Sequence, residues 1–144
     1  MKKRLVMVGC CILMIGCGGK TIQRDEQGRA ALAPCGITPN CVSSQNRPGK
    51  NRIEPFVINS SVNEAMKKLK TIISDMPGST LIEEEPHYLY VQFKSKLFGF
   101  IDDVEFLADE KAGQIYVRSA SRVGLSDFGV NRRRIEKIRF EYNH

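Results

Sequence analysis

The sequence predicts an α+β domain: a four-stranded antiparallel meander with two helices packed on one face, preceded by a disulfide-closed loop segment. Three observations lead there. An apolar stripe of helical period runs from Val62 to Met76, short segments of alternating polarity follow it, and a second helical pattern closes the chain. With the strands gathered between them, both helices should cover one face of an antiparallel sheet, giving a two-layer domain.

The first helix has the plainest local signal. Ser61-Val62-Asn63-Glu64 is a capping box, with Ser61 as N-cap and Glu64 at the third helical position. Val62, Ala65, Met66, Leu69, Ile72, Ile73 and Met76 then recur at steps of three and four, and Pro77-Gly78 ends the helix. Strands are expected at Thr80–Glu85, Tyr88–Lys94, Ile101–Leu107 and Ile115–Ser121. Asp109-Glu110-Lys111-Ala112-Gly113 is the turn of the last hairpin. Setting residue 107 opposite 116 places Val104, Phe106, Ile115 and Val117 on one face, with Asp103, Glu105, Tyr116 and Arg118 on the other. Leu89, Val91 and Phe93 join the first face. The second face, with Tyr88, Tyr90 and Gln92, needs a cover: the N-terminal disulfide segment or something that binds there. A last helix is expected over Phe128–Tyr142, with Phe128, Ile135, Ile138 and Tyr142 on its inner side and Asp127 as its cap.

The beginning of the chain carries an address. Lys2, Lys3 and Arg4 precede an uncharged apolar run from Leu5 to Ile15, shorter than the ~20 residues a spanning helix needs. Met14-Ile15-Gly16-Cys17 then reads as a lipobox, with methionine where leucine is usual. The expected organisation is a lipoprotein signal peptide at 1–16, a lipidated flexible tether at 17–34 starting with Cys17, and one domain at 35–144. Gly18, rather than aspartate, after the lipidated cysteine directs such a protein to the outer membrane, facing the periplasm, in a Gram-negative cell. Loss of residues 1–16 lowers the formal charge from +6 to +3, because that stretch holds Lys2, Lys3 and Arg4 and no acid. The remaining balance suits an anionic membrane surface and argues against nucleic acid as a partner.

Of five cysteines, Cys10 and Cys11 fall in the leader and Cys17 takes lipid, leaving Cys35 and Cys41 to pair across a tight loop in an oxidising compartment. Such a ring contributes about 2 kcal/mol on the chain-entropy account. Zinc would need two further ligands from His87 and His144, so no metal or cofactor is expected.

Several polar groups invite a chemical reading. Arg118, Ser121 and Arg122, with Asp127, Asn131 and Arg132 at the start of the last helix, could hold an anionic ligand. The competing reading is internal: Asp102, Asp103 and Asp127 are themselves the anions, and Glu105 opposite Arg118, with Asp103 diagonal to Arg118 and Arg122, forms a cross-strand network. Asp102 and Asp103 are adjacent in a strand and point to opposite faces, which disfavours a paired-carboxylate acid/base site. Ser43-Ser44 lack a nucleophile elbow and read, with Asn40, as groups that satisfy backbone in the loop beside the disulfide. Asn131 to Lys137 is rich in arginine but interleaved with Glu136, as on a solvated helix face.

Four segments together resemble a bacterial family catalogued as domain of unknown function 1499: Cys35…Pro39-Asn40-Cys41-Val42-Ser43-Ser44-Gln45, Gly99 to Phe106, Val117 to Gly124, and Ser126 to Ile135. The resemblance implies an envelope or membrane-associated protein and carries over no catalytic residue. The resulting expectation is a lipid-anchored envelope protein with a non-enzymatic binding or scaffold domain. Its partners would be the membrane through the anchor and an envelope protein or anionic ligand. The alternative is an envelope enzyme acting on an anionic lipid or glycan through Asp102, Arg118, Arg122 and Asn131. An adaptor using the Tyr88/Tyr90/Tyr116 face is a third class.

Overall fold

The structure, a computed structural model, describes residues 22–144; the expected leader 1–16, Cys17 and residues 18–21 lie outside the described residues. The elements are β1 (Gln23–Arg24), β2 (Ala30–Ala31), β3 (Cys41–Ser43), β4 (Phe56–Val57), α1 (Val62–Ser74), β5 (Ser79–Glu85), β6 (Tyr88–Lys94), β7 (Ile101–Asp109), β8 (Gln114–Ser121) and α2 (Val130–Asn143). The fold is α+β with antiparallel sheets, as expected.

The meander β5-β6-β7-β8 is the predicted one, and Leu107 stands opposite Tyr116, with Glu105 opposite Arg118. The sheet nevertheless has six strands rather than four. β3 pairs with β8 through Cys41↔Ala120 to Ser43↔Arg118, and β4 pairs with the other end of β8 through Phe56↔Ile115. A long outer edge on β8 would leave a row of backbone donors and acceptors open; two short strands close it.

α1 begins as its capping box dictates. The Ser61 hydroxyl accepts from the Glu64 amide, and the Glu64 carboxylate accepts from the Ser61 amide. Its stripe of Val62, Ala65, Met66, Leu69 and Ile73 packs with Ile135, Ile138 and Tyr142 of α2 over the sheet residues Leu89, Val91, Phe93, Val104, Phe106, Ile115 and Val117. Phe56 completes this core, with its ring edge-on to both Phe106 and Tyr142.

The last helix starts later than predicted. Phe128 lies before it and is 87% exposed rather than in the core. The reason is Asp127, whose carboxylate accepts the backbone N–H groups of Gly129 and Asn131 at 2.9 and 2.8 Å. Phe128 and Gly129 then both adopt positive φ, 52° and 77°, which a continuing right-handed helix excludes.

The expected tether is also corrected: the chain is folded from Ile22 onward. β1 and β2 form a hairpin with Gln23 opposite Ala31, and Ile22, Ala30 and Leu32 pack on Tyr88, Tyr90 and Leu107. Arg24 clamps it to β5 through Glu83 and Glu85, at 2.9 and 2.6 Å. The cover that the second sheet face required is thus supplied mainly by residues upstream of the disulfide. Cys35 and Cys41 are bonded, with Cα atoms 5.6 Å apart.

Gly78 joins α1 to β5 at φ 79°, and a Cβ there would lie 2.5 Å from the Lys94 carbonyl oxygen. The Gly78→Ala chain is therefore expected to lose at least ~1–2 kcal/mol from the left-handed conformation alone, read as a lowered urea midpoint. An unchanged midpoint would show that this turn relaxes freely.

Candidate functional site

Strand alternation sorts the candidate residues onto two sides of one sheet. Asp102, Ser119 and Ser121 face the helices, whereas Asp103, Glu105, Arg118 and Arg122 face the β1–β2 hairpin. The expected grouping of Asp102, Arg118, Arg122 and Asn131 therefore does not converge on one point. It separates into two clusters with the β-sheet between them.

The hairpin-side cluster is built from two parallel relays. Tyr88 donates to Glu105 at 2.8 Å, and Arg118 reaches the other Glu105 oxygen at 3.3 Å. Tyr90 donates to Asp103 at 2.6 Å, and Arg122 grips both Asp103 oxygens, Nε at 3.0 Å and Nη2 at 2.9 Å. Gln92 adds a bond to the Tyr90 hydroxyl. Glu105 is fully buried and Asp103 nearly so. Burial, followed by the Glu105 charge, pushes the Tyr88 phenol far above its ordinary value. The Tyr90 phenol moves the same way, again chiefly through burial. Both hydroxyls are held as donors. The hydrogen bond to Asp103 raises the Arg122 guanidinium above its ordinary value. Among the described side chains, Arg118 Nε is buried without a hydrogen-bond partner.

The helix-side cluster centres on Asn131, which has no exposed surface. Its amide nitrogen donates to the Asn40 carbonyl, to Ser121 Oγ and to Asp127 Oδ2, at 3.3, 3.0 and 2.8 Å. Its oxygen accepts from the Ser119 hydroxyl and from Arg134 Nη1. Arg134 continues to Asp102 and lies over the Phe93 ring, 4.7 Å from its centroid. Burial works against the charged form of Asp127. The N–H groups of Asn131 and Gly129 outweigh it, and the carboxyl sits below its ordinary value of 3.8. Arg132 points elsewhere, with Nη2 donating to the Lys50 and Arg52 carbonyls and tying the basic 46–52 loop to α2.

Asn40, Ser43 and Ser44 take up backbone groups as expected. Ser44 Oγ accepts from the Val117 amide, Ser43 Oγ from the Gln45 amide, and the Asn40 amide donates to the Gly124 carbonyl. Sequence reasoning missed Ser119 and Arg134. A signal for each existed: Ser119 occupies an inward position between Val117 and Ser121, and Arg134 lies one turn beyond Asn131 on the stripe of Ile135 and Ile138.

An open cleft of about 790 Å³ lies beside these relays, between the β1–β2 turn and the β5–β6 and β7–β8 turns. Arg29, His87, Tyr88, Lys111 and Tyr116 are among its walls. Among the described residues, no His, Cys, Asp or Glu are grouped to hold a metal ion, and no helix is long and apolar enough to cross a membrane.

The family model described as protein of unknown function (DUF1499) matches residues 31–141, from β2 to the last turn of α2. No curated protein matches the chain.

Two expectations follow from the helix-side cluster. Asn131→Ala should cost about 2–3 kcal/mol in urea unfolding, since it strands buried donors on Ser119 and Arg134. Asp127 has a depressed folded value, so its stabilisation is complete above the ordinary aspartate range and lost as pH falls through the folded value. The Asp127→Ala chain should thus trail the parent by about 1 kcal/mol at neutral pH, with the gap closing in acid. The N-cap of α2 is Gly129 rather than the expected Asp127, which acts from two residues upstream, and a gap that stays constant down to roughly pH 2 would contradict its hold on the Gly129 and Asn131 amides.

Proposed function

The chain belongs to the DUF1499 family, and we propose that it is a lipid-anchored cell-envelope protein whose domain works by binding or scaffolding rather than by catalysis. The observation that carries the second half is the partnering of the polar clusters. Asp103 is held by Arg122 and Tyr90, Glu105 by Arg118 and Tyr88, Asp102 by Arg134, and Asn131 by five neighbours. A catalytic acid, base or nucleophile has to present an open valence to substrate. These side chains present theirs to each other.

The first half rests on the leader and Cys17. Acyl chains on that thiol, at about 0.8 kcal/mol per buried CH₂, would hold the chain on a bilayer permanently once two or more are attached. Gly18 after the modified cysteine favours the outer membrane of a Gram-negative cell, with the domain in the periplasm. A disulfide between Cys35 and Cys41 suits that compartment.

Metabolic labelling with palmitate tests the anchor. The parent chain should incorporate label, Cys17→Ser should not, and globomycin should leave a slower-migrating precursor that retains residues 1–16. An unlabelled, full-length chain in the soluble cytosolic fraction would overturn the proposal.

A further inference from the structure

The two ends of the sheet differ sharply in chemistry. One end is formed by three neighbouring loops: 35–40 before β3, 122–129 after β8, and 95–100 between β6 and β7. Strand order places them in a row, since β3, β8, β7 and β6 are successive neighbours. Direct contacts join them: the Arg122 amide donates to the Ile101 carbonyl, and the Asn40 side chain to the Gly124 carbonyl. From this rim project Leu97, Phe98, Phe100, Val123, Leu125 and Phe128, between half and nearly nine-tenths exposed, with Ile37 beside them. Phe98 and Phe100 stack on each other at 5.5 Å and find no cover in the core. Phe128 is held outward at positive φ, a costly conformation for a bulky residue.

Charge follows the same division. Lys94 and Lys96 flank the apolar tip of the 95–100 loop, are exposed, and form no ion pair among the described residues. Asp127, the acid within the three rim loops, is turned inward onto Gly129 and Asn131. At the opposite end, the turns carry four acids, Asp25, Glu26, Asp109 and Glu110, against Arg29 and Lys111, and a single large exposed apolar side chain, Val57, lies beside them. A monomeric surface seldom gathers so many large apolar groups without a use for them.

We infer that the rim of Leu97, Phe98, Phe100, Val123, Leu125 and Phe128, with Lys94 and Lys96, inserts into the interfacial region of an anionic phospholipid bilayer and stands the domain on that end. Aromatic and aliphatic tips bordered by lysine are the pattern that partitions into the headgroup–acyl boundary of an anionic membrane. The length of the leash agrees. β1 runs toward the Asp25–Arg29 turn at the far end, so the hairpin is entered from the rim side, with Ile22 beside Tyr88 and Tyr90. Cys17 lies five residues upstream of Ile22, a contour of at most about 17 Å. The run of β6 to the loop at Ser95 covers about 17 Å from Tyr90 and about 24 Å from Tyr88. The leash therefore spans most or all of the way to the rim. A bilayer on the helix side would require the leash to pass the sheet edge and a helix layer about 10–12 Å thick. This part of the inference rests on the proposed lipid anchor; the composition of the rim does not.

The chain has no tryptophan, so single-tryptophan variants of the full chain report directly. Phe98→Trp and Leu125→Trp probe the rim, and Lys111→Trp the far end. Each is purified from membranes and reconstituted into phosphatidylglycerol–phosphatidylethanolamine vesicles with or without brominated acyl chains. The two rim reporters should be quenched severalfold by brominated lipid and the Lys111 reporter should not; adding Lys94→Glu and Lys96→Glu should weaken the rim quenching. Equal, lipid-insensitive emission from all three overturns the inference. Flotation separates this from the anchor: vesicles that carry the chain while the rim reporters stay unquenched leave the anchor standing and remove the rim contact. A Cys17→Ser chain that still floats with quenched rim reporters removes the anchor and keeps the rim. A Phe98 reporter shielded in native membranes but unquenched in pure lipid identifies a protein partner and likewise overturns the inference.

Discussion

Two carboxylates buried on the hairpin side of the sheet set the terms for the rest of the fold. Glu105 and Asp103 are almost without solvent contact, and an unpaired carboxylate there would cost several kcal/mol. Each is met by one phenol and one guanidinium: Tyr88 and Tyr90 come from β6, Arg118 from β8, and Arg122 from the residue just past the end of β8. Slipping β6 or β8 by one residue would turn Tyr88, Tyr90, Arg118 and Arg122 to the wrong face and leave both acids stranded. The relays thus fix the register of three strands at once, and contribute more to uniqueness than to net stability. They also account for the hairpin: a face bearing tyrosines and ion pairs keeps those pairs strong when water is excluded, and Ile22, Ala30 and Leu32 exclude it.

The adjacent residue does the same for the other side. Asp102 turns toward the helices and receives Arg134, which also bonds to Asn131. Through Asn131 the start of α2 is joined to β8 and to the loop that precedes β3. Two neighbouring aspartates, sent to opposite faces by the pleat, therefore anchor two separate layers to one central strand. What looks in one dimension like a single charged constellation is, in three, a pair of fastenings.

That difference explains what could be read from the residues and what could not. Local rules carried far: Ser61 and Glu64 fixed where α1 begins, the alternation in β6 and β7 separated core from cover, and the β7–β8 turn set the Leu107↔Tyr116 pairing. The hairpin at 22–34 was hidden because its strands have two residues each, too short to show a period, and because their value lies in covering tyrosines distant in sequence. β4 was hidden for the same reason. The spacing of Phe128 matches the stripe of α2 and predicts an inward side chain; the capture of the Gly129 and Asn131 amides by Asp127 overrides that spacing. Ser119 and Arg134 are not legible from the residues alone because a polar side chain on an apolar stripe gains its meaning only from partners distant in sequence, here Asn131 and Asp102.

The surfaces that remain open, the cleft beside the hairpin and the apolar rim, are where interaction with other molecules is available once the charges are committed inside. The commitment itself is measured most directly by a double-mutant cycle on Asp103→Ala and Arg122→Ala, followed by urea unfolding. Internal fastening predicts that each single change destabilises the domain and that the pair is coupled by about 1–3 kcal/mol. Single variants as stable as the parent, with no coupling between them, would show the pair to be free for another partner and would contradict the account.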